Sequence, residues 1–120
     1  MKRKFTVIFD LDGTLVDTAP DLMLAHNHVM SKFGYPTKSL SELKSAVGHG
    51  AGAMIGRSIW SQAKKELSSI NEKIKNEMTD EFISYYGKNI LNESTLVRGV
   101  KDFLQWCKKK NISMAVCTNK

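Results

Sequence analysis

Two carboxylates two residues apart, Asp10 and Asp12, stand in the segment Asp10-Leu11-Asp12-Gly13-Thr14, directly after the apolar run Phe5 to Phe9. Carboxylates are hard oxygen ligands, and Mg2+ is commonly held by one or two of them together with substrate phosphate. A metal so placed neutralises charge on a phosphate ester, which lets one carboxylate act as nucleophile and form an aspartyl-phosphate. The other carboxyl can protonate the leaving oxygen and later deprotonate the attacking water. Gly13 permits a tight turn close to the ligand. An Asp-Gly turn alone is a common strand terminator with solvated acids. What sets DLDGT apart is its place behind an apolar strand, at the carboxyl end where open α/β sheets bind their ligands.

The elements that must position these residues can be read from the apolar pattern. Phe5 to Phe9 (FTVIF) predicts a strand buried on both faces, as in parallel sheets, and Ile112 to Cys117 (ISMAVC) predicts a second, ending in the polar loop Thr118 to Lys120. Before the second strand, Val100, Phe103, Leu104 and Cys107 make the apolar face of a helix approached by Gly99. Helix then strand is the return half of a right-handed βαβ crossover. Such a crossover needs only about a dozen residues. Far more than that separates Asp10 from Thr118, so a large segment is inserted.

The insert reads as helical throughout. Thr18 and Asp21 have the spacing of a capping box, Pro20 suits the first helical position, and Leu22, Ala25, Val29 and Phe33 recur at helical spacing until Gly34. Ser39 with Glu42 is a second capping box, opening a short helix that ends at Gly48. Ala53 to Trp60 form a third helix, and Ile70, Ile74, Met78, Phe82 and Tyr85 place one stripe on a fourth that ends near Gly87.

With 120 residues the chain has the length of one ordinary domain. No apolar run approaches the roughly 18 to 20 residues that span a bilayer. Asp10 and Asp12 interrupt what would have to be the apolar region of a secretory signal, so a cytoplasmic location without a membrane partner is expected. The net charge of +6 comes from scattered residues, without the aromatic-interleaved basic run of a single-strand groove, and no nucleic-acid partner is expected. Lys108 to Lys110 read as cations complementing a helix dipole. Cys107 and Cys117, lacking a CxxC spacing, read as reduced, buried thiols. Trp60, Trp106, Tyr85 and Tyr86 read as packing residues.

FDLDGTLVDTAPDL resembles the first motif of the haloacid dehalogenase superfamily, and specifically of its phosphatases of small phosphorylated acids such as 2-phosphoglycolate. VGHGAGAMIGRSI is similar to their cap segment, FISYYGKNILNESTLVRGVKDFL to their return to the core, and MAVCTNK to their second motif. The resemblance implies an α/β fold, a Rossmannoid parallel-sheet core with an inserted α-helical cap. On this chain that gives a partial core at 1–15 and 93–120 and a cap at 16–92. It implies a Mg2+-dependent phosphatase acting on a small phosphorylated carboxylic acid or other phosphate monoester. Asp10 matches the nucleophile and metal ligand. Asp12 matches the general acid/base, whose carbonyl also contacts Mg2+. Thr118 matches the hydroxyl that binds the transferring phosphoryl group, and Asn119 the neighbour whose backbone N–H assists. An acid at Asp12 disfavours the dehalogenase branch and leaves phosphatase or phosphomutase chemistry.

In the cap, Gly48-His49-Gly50 with Gly52 reads as a helix terminator or a loop closing over the ligand, and the resemblance favours the loop. His49 is not needed as a base beside a carboxylate in that role. Arg57 either reaches a substrate carboxylate or is solvated, and His26 and His28 read as surface or partly buried helix residues. The superfamily's phosphatases also use a later lysine and further acidic residues that this sequence does not contain; Lys120 belongs to the TNK stretch and does not match that lysine. The 120 residues are therefore expected to be a cap and half a core with little turnover alone, or a phosphate-binding or complementing module.

Overall fold

The computed structural model describes residues 4–44, 50–62 and 72–118, with backbone only for 59–62. Four strands and five helices follow in the order β1 (Thr6–Phe9), β2 (Val16–Asp17), α1 (Ala19–Lys32), α2 (Leu40–Lys44), α3 (Ala51–Gln62), α4 (Glu72–Lys88), β3 (Thr95–Leu96), α5 (Val100–Lys109) and β4 (Ser113–Val116). The expected strand and α5 at the end are present, and the parallel pairing follows: Thr6 lies opposite Ser113 and Phe9 opposite Val116. Phe9 meets the α5 ring of Phe103 edge-on, with centroids 6.0 Å apart. A second pair, β2 with β3, is antiparallel and two residues long, with Val16 opposite Leu96 and Asp17 opposite Thr95. It forms the neck through which the chain enters and leaves the helical segment.

The apolar core lies in that helical segment. Ala25, Val29 and Met30 of α1, Leu43 of α2, Met54 and Ile55 of α3, and Met78, Phe82 and Tyr86 of α4 form one buried cluster. Fully burying a side chain of this size stabilises by about 1.5–3 kcal/mol, so this cluster is a main tie among the four helices. The molecule is correspondingly long, 61 Å by 28 Å by 23 Å.

Several expectations are corrected. The strands β1 and β4 are not buried on both faces: Phe5 and Ile8 are each 67% exposed, and Val116 and Met114 are open as well. Cys107 is buried, whereas Cys117 is exposed. Ile74 and Trp106 are 39% and 48% exposed, Trp106 stacked on Phe103. The helix expected from Ala53 begins two residues earlier, and α2 is described only to Lys44, with its expected end at Gly48 outside the described residues. Ile70 also lies outside them. The Ser39–Glu42 capping box forms, with Glu42 Oε2 accepting from Ser39 N at 2.6 Å and Glu42 N donating to Ser39 Oγ at 3.4 Å. These bonds from Ser39 hold the Glu42 carboxyl below its ordinary pKa. Thr18–Asp21 does not form one, because Thr18 makes no side-chain cap bond and Asp21 is engaged elsewhere. Among the described residues no helix is long and apolar enough to cross a membrane.

Candidate functional site

The ladder between β1 and β4 runs to the last residue of β1, where Cys117 N donates to Phe9 O at 2.8 Å. Asp10 is the next residue, and Thr118 follows Cys117, so both leave the same carboxyl edge of two neighbouring parallel strands. Adjacent strands lie about 4.8 Å apart, a separation that one phosphoryl group spans. Asp10 is exposed, and its Oδ1 accepts from Leu11 N at 2.8 Å, which fixes the carboxylate against its own turn.

The turn is organised around one carbonyl. Leu11 O receives Thr14 N, Leu15 N and Val16 N at 3.0–3.2 Å, while Gly13 N donates to Val16 O at 2.7 Å. Gly13 adopts φ +77°, a left-handed conformation costly for a residue with a Cβ. Asp12 bridges to Val16 and is half-buried. Val97 N donates to Leu15 O at 3.0 Å, so the chain returning from the helices locks the acidic turn in place.

Of the sequence-derived site residues, Asp10, Asp12 and Thr118 are thus brought to one end of the strand pair. Gly48, His49 and Asn119 lie outside the described residues. Gly50 immediately precedes α3 with φ +87° and accepts from Met54 N, as a helix-start residue. Arg57 is exposed on α3. Among the described residues no three His, Cys, Asp or Glu side chains converge as a metal cluster. The donors at the turn are nevertheless the right kind for Mg2+: the Asp10 carboxylate, open to solvent, and the Asp12 carbonyl, with no imidazole or thiolate in the turn.

Sequence reasoning missed four features. A cavity of about 510 Å³ adjoins the turn, lined by Gly13, Asp17, Lys44, Thr95 and Arg98 among others. Its walls come from segments distant in sequence, which left no local signal. Asp21, only 2% exposed, accepts from Glu93 N at 2.9 and 3.0 Å, from Ser94 N at 2.8 Å and from Ser94 Oγ at 2.6 Å. It ties the start of α1 to the chain entering β3.

His26 is fully buried, against the expectation of a surface or partly buried residue. Asn27 Nδ2 donates to Lys38 O at 2.8 Å and Lys38 N donates to Asn27 Oδ1 at 2.9 Å, which fixes the amide orientation. Oδ1 therefore faces His26 Nδ1 at 2.9 Å and requires the proton there, so Nε2 accepts from Ser58 Oγ at 2.6 Å. Burial pushes the His26 pKa below its ordinary value; the Asn27 bond opposes this and Lys38 adds to it. The Ser58–His26–Asn27 order has the form of a nucleophile, a base and an orienting group. Ser58 and His26 are both buried, so the network is a tie between α1 and α3. His28 lies half-buried on the next part of α1, stacked on Tyr85 with ring centroids 4.1 Å apart. Lys32 and His28 both reach Glu81, each at 2.9 Å, and hold its carboxyl below the ordinary range.

The sequence model for haloacid dehalogenase-like hydrolases matches residues 7–120. A phosphoglycolate phosphatase of Haemophilus influenzae is 38% identical, across 100% of this chain and 54% of the relative. One from Mannheimia succiniciproducens is 35% identical over the same shares. The crystal structure of a predicted phosphoglycolate phosphatase from Haemophilus somnus superposes with a TM-score of 0.85 at 33% identity, covering 100% of this chain and 54% of that one. The chain spans about half the length of the curated relatives it matches.

Proposed function

For a chain that belongs to the haloacid dehalogenase-like hydrolase family, we propose that Asp10 and Asp12 are the nucleophile and the acid/base of a phosphatase of small phosphorylated acids, with 2-phosphoglycolate as substrate. The single observation that supports this reading is the placement of Asp10, Asp12 and Thr118 at one carboxyl edge of the parallel pair β1–β4. The division into a partial core, 1–15 and 93–120, and a helical cap, 16–92, goes with it.

Asp10 Oδ attacks phosphorus as the bond to the ester oxygen breaks, and the phosphoryl group passes to the carboxylate. Asp12, protonated at that moment, gives its proton to the departing alkoxide. Asp12 then takes a proton from water, which attacks the aspartyl-phosphate, releasing inorganic phosphate and restoring Asp10. Thr118 donates its hydroxyl to a phosphoryl oxygen. The Asp10 carboxylate and the Asp12 carbonyl would hold Mg2+, which would supply charge neutralisation for the phosphate.

Asp10→Asn removes the nucleophile with little change in shape. Mg2+-dependent phosphate release from 2-phosphoglycolate is expected to fall to background, and release that survives refutes the assignment. A phosphomutase would instead cycle hexose phosphates without net phosphate release. A second reading, a phosphate-binding module without turnover, is favoured by the lack of a third metal-ligating side chain among the described residues. It predicts phosphate binding with no release in the unmodified chain.

A further inference from the structure

We propose that the cavity beside the acidic turn is a carboxylate-recognition site, in which Lys44 and Arg98 hold the acid end of a small phosphorylated carboxylic acid. This rests on the phosphatase reading and adds to it the residues that select the substrate. Gly13 forms part of the cavity wall, one residue from Asp12 and three from Asp10. Gly13 is thus common to the acidic turn and the cavity, and in this proposal the other end of an ester bound at those carboxylates lies along this wall.

The wall carries two cations from separate parts of the chain, Lys44 from the last turn of α2 and Arg98 from the stretch between β3 and α5. Asp17 lines the same cavity, yet among the described residues neither cation makes an ion pair with it or with any other acid. Both charges are available to a ligand. A neutral leaving group has no use for them, whereas a carboxylate matches the planar fork of Arg98 in two parallel hydrogen bonds and takes Lys44 as a point charge. The Thr95 hydroxyl is a further donor on the same wall. Asp17 opposes any anion there, so the site favours one carboxylate over a more highly charged group. Because Lys44 belongs to the helical segment and Arg98 to the chain leaving the neck, a ligand held by both also joins the two.

Equilibrium titration tests this with two probes that share a phosphate and differ in the tail, 2-phosphoglycolate and ethyl phosphate. Mg2+ is present, and the Asp10→Asn background prevents consumption of ester. The acid is expected to bind tighter than ethyl phosphate by roughly 10- to 100-fold. Arg98→Gln or Lys44→Gln should each remove about tenfold of that preference and the double variant all of it, while ethyl phosphate affinity changes less than about twofold. Arg98→Lys should keep part of the preference, and Asp17→Asn should increase it. Both cations are exposed, so the fold does not depend on them. Equal affinity for the two probes, or a preference that survives the double variant, overturns the site. Phosphate release by the unmodified chain reads the phosphatase proposal separately: preference lost with no release leaves the site standing, and release with preference intact leaves only the phosphatase.

Discussion

Replacing Asp21 should unfasten the place where the two passages through the neck meet the helices. Its carboxylate accepts from three donors, Glu93 N, Ser94 N and Ser94 Oγ, at distances of 2.6 to 3.0 Å. Hydrogen bonds to a charged acceptor contribute about 1.5–3 kcal/mol each, but three sharing one carboxylate do not add, and the chain at Glu93 can recover water. Asp21→Ala is therefore expected to cost about 3 kcal/mol. Asp21→Asn keeps one acceptor oxygen but turns an NH2 toward Glu93 N–H, and should cost about half as much. For a chain of this length 3 kcal/mol corresponds to roughly 10 to 15 °C in Tm. Urea unfolding followed by circular dichroism measures both variants. A cycle with Ser94→Ala isolates the shortest bond, whose coupling to Asp21 should be about 1 kcal/mol. If Asp21→Ala lies within 0.5 kcal/mol of the parent (about the size of an ordinary surface change), or if the cycle shows no coupling, the tie contributes nothing and the reasoning is wrong.

Three other outcomes can be checked in the same way. The unfolded chain takes up a proton on His26 near pH 6.5 that the buried ring refuses, so stability should be full above that pH and decline below it, by at most about 1.4 kcal/mol per pH unit; the difference between the pH profiles of the parent and His26→Gln reads it, and identical profiles would refute it. Asn27→Ala removes both bonds to Lys38 and the partner of the His26 N–H, and should cost about 2 kcal/mol in chemical denaturation, with Asn27→Asp costing less. Gly13→Ala meets no atom within 4 Å, so its cost is backbone strain alone, about 1–2 kcal/mol, and an unchanged urea midpoint would show the turn to be relaxed.

The parallel strand pair and the acidic turn at its edge were legible because their signals are local: two apolar runs, each followed by a polar turn, and a helix directly before the second. The Ser39–Glu42 box is local as well and formed as read. Asp21 carried the same local signature as Glu42, but its partners stand 72 and 73 residues away, and only the fold brings them within reach. His26 lies on a helix whose spacing marks Ala25 and Val29 as buried; that a polar ring joins them depends on Ser58 arriving from α3. Strands β2 and β3 are two residues each, too short for any alternation to register. The run FTVIF carries the composition of a strand covered on both sides, but burial is a property of what lies against it, and Phe5 and Ile8 remain open in this chain. Lys44 and Arg98 gave no signal because isolated surface cations are ordinary until a cavity places them together.

The neck has one more consequence. Asp17 lies directly opposite Thr95, so the helical segment departs and returns at a single point of the chain's path. Seen from β1 and β4, everything between those residues is a closed excursion whose ends are already joined. The entropy of closing such an excursion grows only with the logarithm of its length, each doubling adding about 0.6 kcal/mol. Lengthening the helices, or grafting a different module between Asp17 and Thr95, is therefore expected to leave the register of Thr6 on Ser113 and Phe9 on Val116 unchanged. Lys44 lies inside this excursion, whereas Asp10 and Arg98 lie outside it.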